Sequence, residues 1–288
     1  MDEATLEKYS RISWGEIKKN ITEKTPFEAI SPMATCLIRV KAYEPMIALA
    51  PHAGHRVREE LQSKMEIEEE ERLKEEDPYV EQFIANAPFQ MICIDSRFEY
   101  DVNRPRPRSV YLKPFESWGK KVWNHPPTKD ELEISYQKYD EFHELLQFFM
   151  EELSTQCKKM VLIDMHTYNF RRPSLTGRQD SLPVLNLGTK LIDRKKHSKA
   201  LDHVFKELQK IRLPGVENTV QENGPFCGDG QIAKVMADQW PDTLFLNIEV
   251  KKIFMNEESG EPDKKLLQAF SESLQNLGQL ALNTFGGK

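Results

Sequence analysis

The chain has 288 residues, of which 39% are hydrophobic and 30% charged, and it carries a net charge of −6. This is the make-up of an ordinary globular protein long enough to bury a full core. Its acidic balance argues against nucleic acid as a partner, since neutralising phosphates takes a basic face, and no apolar run approaches the roughly 20 residues of a membrane span.

Taken in chain order, TCLIRVKAY (35–43) and PMIALA (45–50) read as strands, being short, apolar and partly β-branched. Residues 56–77, acidic through EIEEEE (66–71), read as a solvated helix face or flap. PFQMICID (88–95) is the next strand, and the proline- and aromatic-rich stretch 103–127 reads as a long ordered loop. Thr128 with Glu131 makes a capping box. It precedes an amphipathic helix whose apolar residues Leu132, Tyr136, Tyr139, Phe142, Leu146, Phe149 and Leu153 recur at three and four. KMVLIDM (159–165) and TLFLNIEV (243–250) are strands, with a helix between them starting near Ser198. A final helix after Pro262 turns Leu266, Phe270, Leu274, Leu277 and Leu280 inward. Strands alternating with helices predict an α/β fold, its sheet covered on both faces, with residues 1–288 as a single domain. Cys36, Cys93, Cys157 and Cys227 are widely spaced without a CxxC pair. They read as reduced thiols, and the polar, acidic opening MDEATLEKYS is no secretory signal, so a cytoplasmic protein is expected.

Ligands of an open α/β sheet gather beyond the carboxyl ends of its strands. After PMIALA comes PHAGH, after QMICID comes SRFEYDVNRP, and after KMVLID comes MHTYN. TLFLNIEV itself carries a carboxylate in an apolar run. Four strands thus bring His52 and His55, Arg97, Asn103 and Arg104, His166, and Glu249 to one rim. Two histidines at H-x-x-H spacing can face one ion across a turn, and Asp164 can orient His166 from behind. Three such ligands and a water make the open site of a catalytic zinc. Glu249 can take a proton from the activated water. Two arginines and an amide suit a substrate carboxylate and a developing oxyanion.

PHAGHRV, SRFEYDVNRP, DMHTYN followed by LPVLNLGT, and NGPFCGDG followed by LFLNIEV resemble, in order, the blocks of the N-formylglutamate amidohydrolase family. More distantly the set resembles aspartoacylase, succinylglutamate desuccinylase and the zinc carboxypeptidases. The resemblance spans about residues 46–257. It implies one mixed sheet between helices, zinc-carboxypeptidase-like (phosphorylase/hydrolase-like). It also implies a zinc-dependent hydrolase, with one ion per chain, that cuts an amide bond beside an acidic amino acid. His52 and His166 match metal ligands, Glu249 the general base and Arg97 the carbonyl-polarising arginine. Asn103 and Arg104 match the clamp on the substrate carboxylate.

Departures from the family pattern concern the third ligand and the substrate surface. Where the distant relatives have H-x-x-E, this chain has H-x-x-H, so His55 is the expected third ligand, with Asp77 or Glu81 as alternatives. A Thr-Arg-His element of the family is replaced by QIAKVM, and the loop 105–127 lacks the family's Gly-rich segments. The expectation is a hydrolase of N-acyl amino acids using zinc or another divalent ion, acting on a small carboxylate-bearing substrate. The rivals are a carboxypeptidase or another deacylase on the same site, and a binding module that kept the fold. Glu249 beside two arginines argues against the last, because binding alone needs no base.

Overall fold

Among the described residues, five of eight strands, numbered in chain order, come from the expected runs. They are β2 (Cys36–Val40), β3 (Met46–Ala50), β4 (Phe89–Cys93), β5 (Val161–Tyr168) and β8 (Leu244–Lys251) in a computed structural model that describes residues 3–157, 159–171 and 181–286. Three short strands join them: β1 (Phe27–Ile30), β6 (Leu185–Gly188) and β7 (Val220–Glu222). The sheet order is β1-β2-β4-β3-β5-β8-β6-β7. Its middle, β4-β3-β5-β8, is parallel, while β1-β2, β2-β4 and β8-β6 are antiparallel, so the sheet is mixed. Four parallel neighbours put four carboxyl ends on one edge.

Every residue of β3 is buried, which requires cover on both faces. Alternate side chains go to opposite layers. Ile47 and Leu49 pack with Phe142, Leu145 and Phe149. Met46, Ala48 and Ala50 pack with Leu201, Val204, Phe270 and Leu277. The helices are α1 (Glu3–Leu6), α2 (Trp14–Thr22), α3 (Glu59–Gln62), α4 (Glu69–Glu75), α5 (Lys129–Ser154), α6 (Ser198–Lys210), α7 (Gln231–Gln239), α8 (Lys264–Leu274) and α9 (Leu277–Gly286). Thr128 caps α5 as its sequence predicts, and Phe142, Leu146, Phe149 and Leu153 are buried along it.

Two expectations need correction. The last helix is two, and Leu280 stays exposed while Ala281 is buried in its place. The approach of α9 to the sheet explains the break, since a Cβ on Gly278 would run into Met46 and Ile163. Residues 56–77 are likewise not one solvated helix: Glu68, Glu69 and Glu70 face water, but Glu75, Glu76 and Asp77 at the end of α4 are buried. Among the described residues no helix is long and apolar enough to cross a membrane.

Candidate metal centre and active site

The parallel strands deliver their residues to a cavity of about 450 Å3 lined by His52, Asp77, Arg97, Asn103, Arg104, His166 and Glu249. His52 lies in the turn after β3, and Arg97, Asn103 and Arg104 follow β4. His166 and Glu249 sit directly opposite each other on β5 and β8.

Three ligand atoms converge at its floor. His52 Nδ1 is 3.2 Å from His166 Nδ1 and 3.5 Å from Asp77 Oδ2, and His166 Nδ1 is 3.3 Å from the same oxygen. The far nitrogen of each ring meets a carboxylate: His52 Nε2 lies 2.8 Å from Asp101 Oδ1 and His166 Nε2 lies 2.9 Å from Asp164 Oδ1. With a metal on the Nδ1 side, the ring protons would sit on Nε2, facing those carboxylates. Thr167 Oγ1 donates to Asp77 Oδ1 at 2.7 Å, which turns Asp77 Oδ2 toward the histidines.

Burial would raise the pKa of Asp77, but hydrogen bonds from His166 and His52, with the charge of Lys252, hold it well below the carboxylate range. Burial would also strip the proton from His166, yet the Asp164 charge and hydrogen bond outweigh it and hold that imidazole well above its ordinary value. The donor set fits a divalent metal. Ligands 2.0–2.1 Å from a tetrahedral zinc stand about 3.3 Å apart, close to the separations found here.

His55 does not join this cluster, and Asp77 occupies the third position. The reason is the backbone after His52. A Cβ on Gly54 would collide with the main chain of Ile94 and Asp95, so the turn runs hard against the end of β4. His55 N and Arg56 N then both donate to Ile94 O at 3.2 Å, which points the His55 ring away from the cavity. It bonds Glu76 through Nδ1 and Glu69 through Nε2, the latter at 3.1 Å, and those partners raise its pKa against the opposing effect of burial. Glu81, the other alternative, lies in the 3-10 turn Val80–Gln82 and does not line the cavity.

The arginines differ in freedom. Arg97 donates through Nη2 to Asp101 Oδ2 at 2.7 Å, through Nε to Tyr111 Oη at 3.2 Å and through Nη1 to Glu75 O at 3.3 Å. Its guanidinium also lies 4.9 Å from the centre of the Trp118 ring. A guanidinium has five N–H donors, so Arg97 is fixed and still has donors to offer. Arg104 is looser: its side chain is 35% exposed and its ion pair with Asp101 is 3.9 Å long. Asn103 has a part that its sequence context did not show. Its Oδ1 accepts from Ile232 N at 3.1 Å and its carbonyl from Gln231 N at 3.0 Å, so it caps α7, where QIAKVM begins. Its Nδ2 remains on the cavity side, 3.5 Å from His166 Nε2.

Glu249 is half-buried in the cavity wall, and burial, the main cause, pushes its pKa up to about 8. His166 and Arg97 pull it down, while Asp77 and Asp164 add to the rise. Sequence reasoning assigned no part to Asp101, although it stands in the S-R-x-x-x-D-x-N-R-P pattern. Fully buried, it joins His52, Arg97, Tyr111 and the amide of Asn103.

The sequence matches the family profile described as N-formylglutamate amidohydrolase over residues 44–255. No curated protein sequence matches it. Among solved structures, the N-formylglutamate amidohydrolase of Ralstonia eutropha JMP134 is similar with a TM-score of 0.72 and 17% identity, covering 88% of this chain and 100% of that one. A gene product of Agrobacterium tumefaciens gives 0.61 and 17%, covering 84% and 92%. At such identities the structural likeness concerns the fold alone.

Proposed function

The chain belongs to the N-formylglutamate amidohydrolase family, and from that premise we propose a metal-dependent hydrolase that cleaves the amide bond of an N-acyl amino acid such as N-formylglutamate. The convergence of His52 Nδ1, His166 Nδ1 and Asp77 Oδ2 within 3.2–3.5 Å carries this reading. Zinc, or another divalent ion, held by these three would polarise the acyl carbonyl and lower the pKa of the attacking water.

The chain's own residues supply the rest. Glu249 takes the proton of the attacking water and returns it to the departing amine nitrogen. A carboxyl pushed up to about 8 by burial suits the second half of that task, because it holds a proton near neutrality. Arg97, locked by Asp101, Tyr111 and Glu75, turns a remaining N–H toward the oxyanion. Arg104, the more mobile cation, pairs with the substrate carboxylate, and Asn103 Nδ2 adds a neutral donor beside it. One continuous sheet with an apolar layer on each face supports reading residues 1–288 as one domain. Four free cysteines suit a cytoplasmic setting.

Metal analysis of the purified protein, joined to an activity screen over N-acyl amino acids beginning with N-formylglutamate, tests the proposal. Close to one ion per chain is expected, lost in His52→Ala and kept in His125→Ala. Hydrolysis that survives complete chelation would overturn the metal-dependent reading.

A further inference from the structure

Lys252 is buried to 1% exposure one residue past β8, where an unpaired ammonium would be costly. Its Nζ donates to Lys74 O at 2.7 Å and to Glu76 O at 2.5 Å. Between them, Glu75 O accepts from Arg97. These are carbonyls that the end of α4 leaves without helical partners, and a cation there also meets the negative end of the helix. Asp77 is the next residue. The main chain of Lys252 is fixed as well, its N donating to Tyr168 O at 3.1 Å, two residues beyond His166. Lys252 therefore spans the gap between the segment that carries His166 and the segment that carries Asp77.

We propose that Lys252 is a positioning residue for the metal site: by capping the last carbonyls of α4 from the end of β5 and β8, it sets Asp77 at bonding distance from the two histidines. The inference rests on the metal-site reading above. Two effects of the ammonium oppose each other. Its charge repels a divalent ion, while its hydrogen bonds hold a ligand in place. Positioning requires that the second prevail, so the sign of the change in affinity separates them.

The test uses the full-length chain stripped of metal, zinc ions as the probe, and competition against a chromophoric chelator. Lys252→Met keeps the length of the stem and removes the hydrogen bonds to Lys74 O and Glu76 O. Its zinc affinity should fall by about 10–100-fold, the usual effect of losing a group that orients a metal ligand. Lys138→Met is the control, since Lys138 is also buried and paired with Asp95 at 2.6 Å but does not line the cavity. It should lose thermal stability without losing zinc affinity. Unchanged binding in a folded Lys252→Met protein would overturn the proposal, and tighter binding would show that the residue acts through its charge alone. Should the Met variant not fold, Lys252→Gln, which keeps one donor group, should still bind zinc at least fivefold more weakly than wild type. If neither variant folds, Lys252 supports the fold at large and the positioning role is refuted. Wild-type protein that binds no zinc would instead defeat the metal-site reading itself.

Discussion

Replacing Asp101 by Asn exchanges one carboxylate oxygen for an NH2 group and should damage both stability and metal binding. Oδ1 of Asp101 accepts from His52 Nε2 and Asn103 N, each at 2.8 Å, while Oδ2 accepts from Arg97 Nη2 at 2.7 Å and from Tyr111 Oη. Asparagine has one acceptor and one donor group where the carboxylate has two acceptors. With its oxygen toward Arg97 and Tyr111, its amide faces the N–H of Asn103 and of His52. His52 escapes only by moving its proton to Nδ1, which removes the metal-binding lone pair. With its oxygen toward His52, the amide faces the Arg97 guanidinium, now without a counter-charge. Either arrangement sets donor against donor in a buried site, and breaking a buried ion pair on one side costs about 3–5 kcal/mol. Metal affinity should fall by about 10–100-fold, because the carboxylate behind His52 is gone. Denaturant unfolding of the metal-free protein gives the first quantity and zinc competition the second. A loss under about 1 kcal/mol, well below the cost of a broken buried pair, with unchanged zinc affinity would show that Asp101 orients neither His52 nor Arg97.

Further outcomes follow from the same geometry. Glu249→Gln should keep metal and fold while turnover drops by roughly 10²–10⁴-fold; near-normal turnover would remove Glu249 from the chemistry. Because burial raises the Glu249 pKa to about 8, the native metal-free protein holds a proton that the unfolded chain releases. Its stability should therefore decline as pH rises from the ordinary carboxylate range to about 8, and Glu249→Gln should flatten that decline in melts across pH. His55→Ala should retain its metal, since the ring bonds Glu76 and Glu69 rather than the cluster; metal loss as severe as in His52→Ala would contradict the placement. Arg104→Ala should raise KM far more for substrates with a free carboxylate than for their amidated analogues, and equal changes would assign Arg104 to the scaffold.

The centre of the fold could be read from sequence because β3, β4, β5 and β8 are covered on both faces and so appear as short runs dominated by apolar residues. β6 and β7 could not. LNLG and VQE are only four and three residues long, and they are strands because β8 offers β6 a free edge and β6 then offers one to β7. The α5 start was plain from Thr128 and Glu131, and the same box at Ser13 and Glu16 marks α2. The start of α7 carries no local sign. Its cap is the side chain of Asn103, 129 residues from Ile232, and no window of sequence contains both.

The site divides in the same way. His52, His166, Arg97, Arg104 and Glu249 lie at or just beyond the ends of parallel strands, so topology alone brings them near each other. The choice between His55 and Asp77 was of another kind. H-x-x-H spacing fixes a direction on a helix but not in a turn, and here the contact of Gly54 with β4 reverses the second histidine. Asp77 arrives instead from the end of an acidic helix whose earlier glutamates are solvated, so composition gave no reason to single it out. Asp101 and Lys252 were less visible still, since the contact of Asp101 with His52 spans 49 residues of sequence and that of Lys252 with Lys74 spans 178. Pattern thus reveals which chemical groups are available at the rim. Backbone direction decides which of them face inward, and the residues that hold them there are ordinary polar side chains whose importance lies wholly in what they touch.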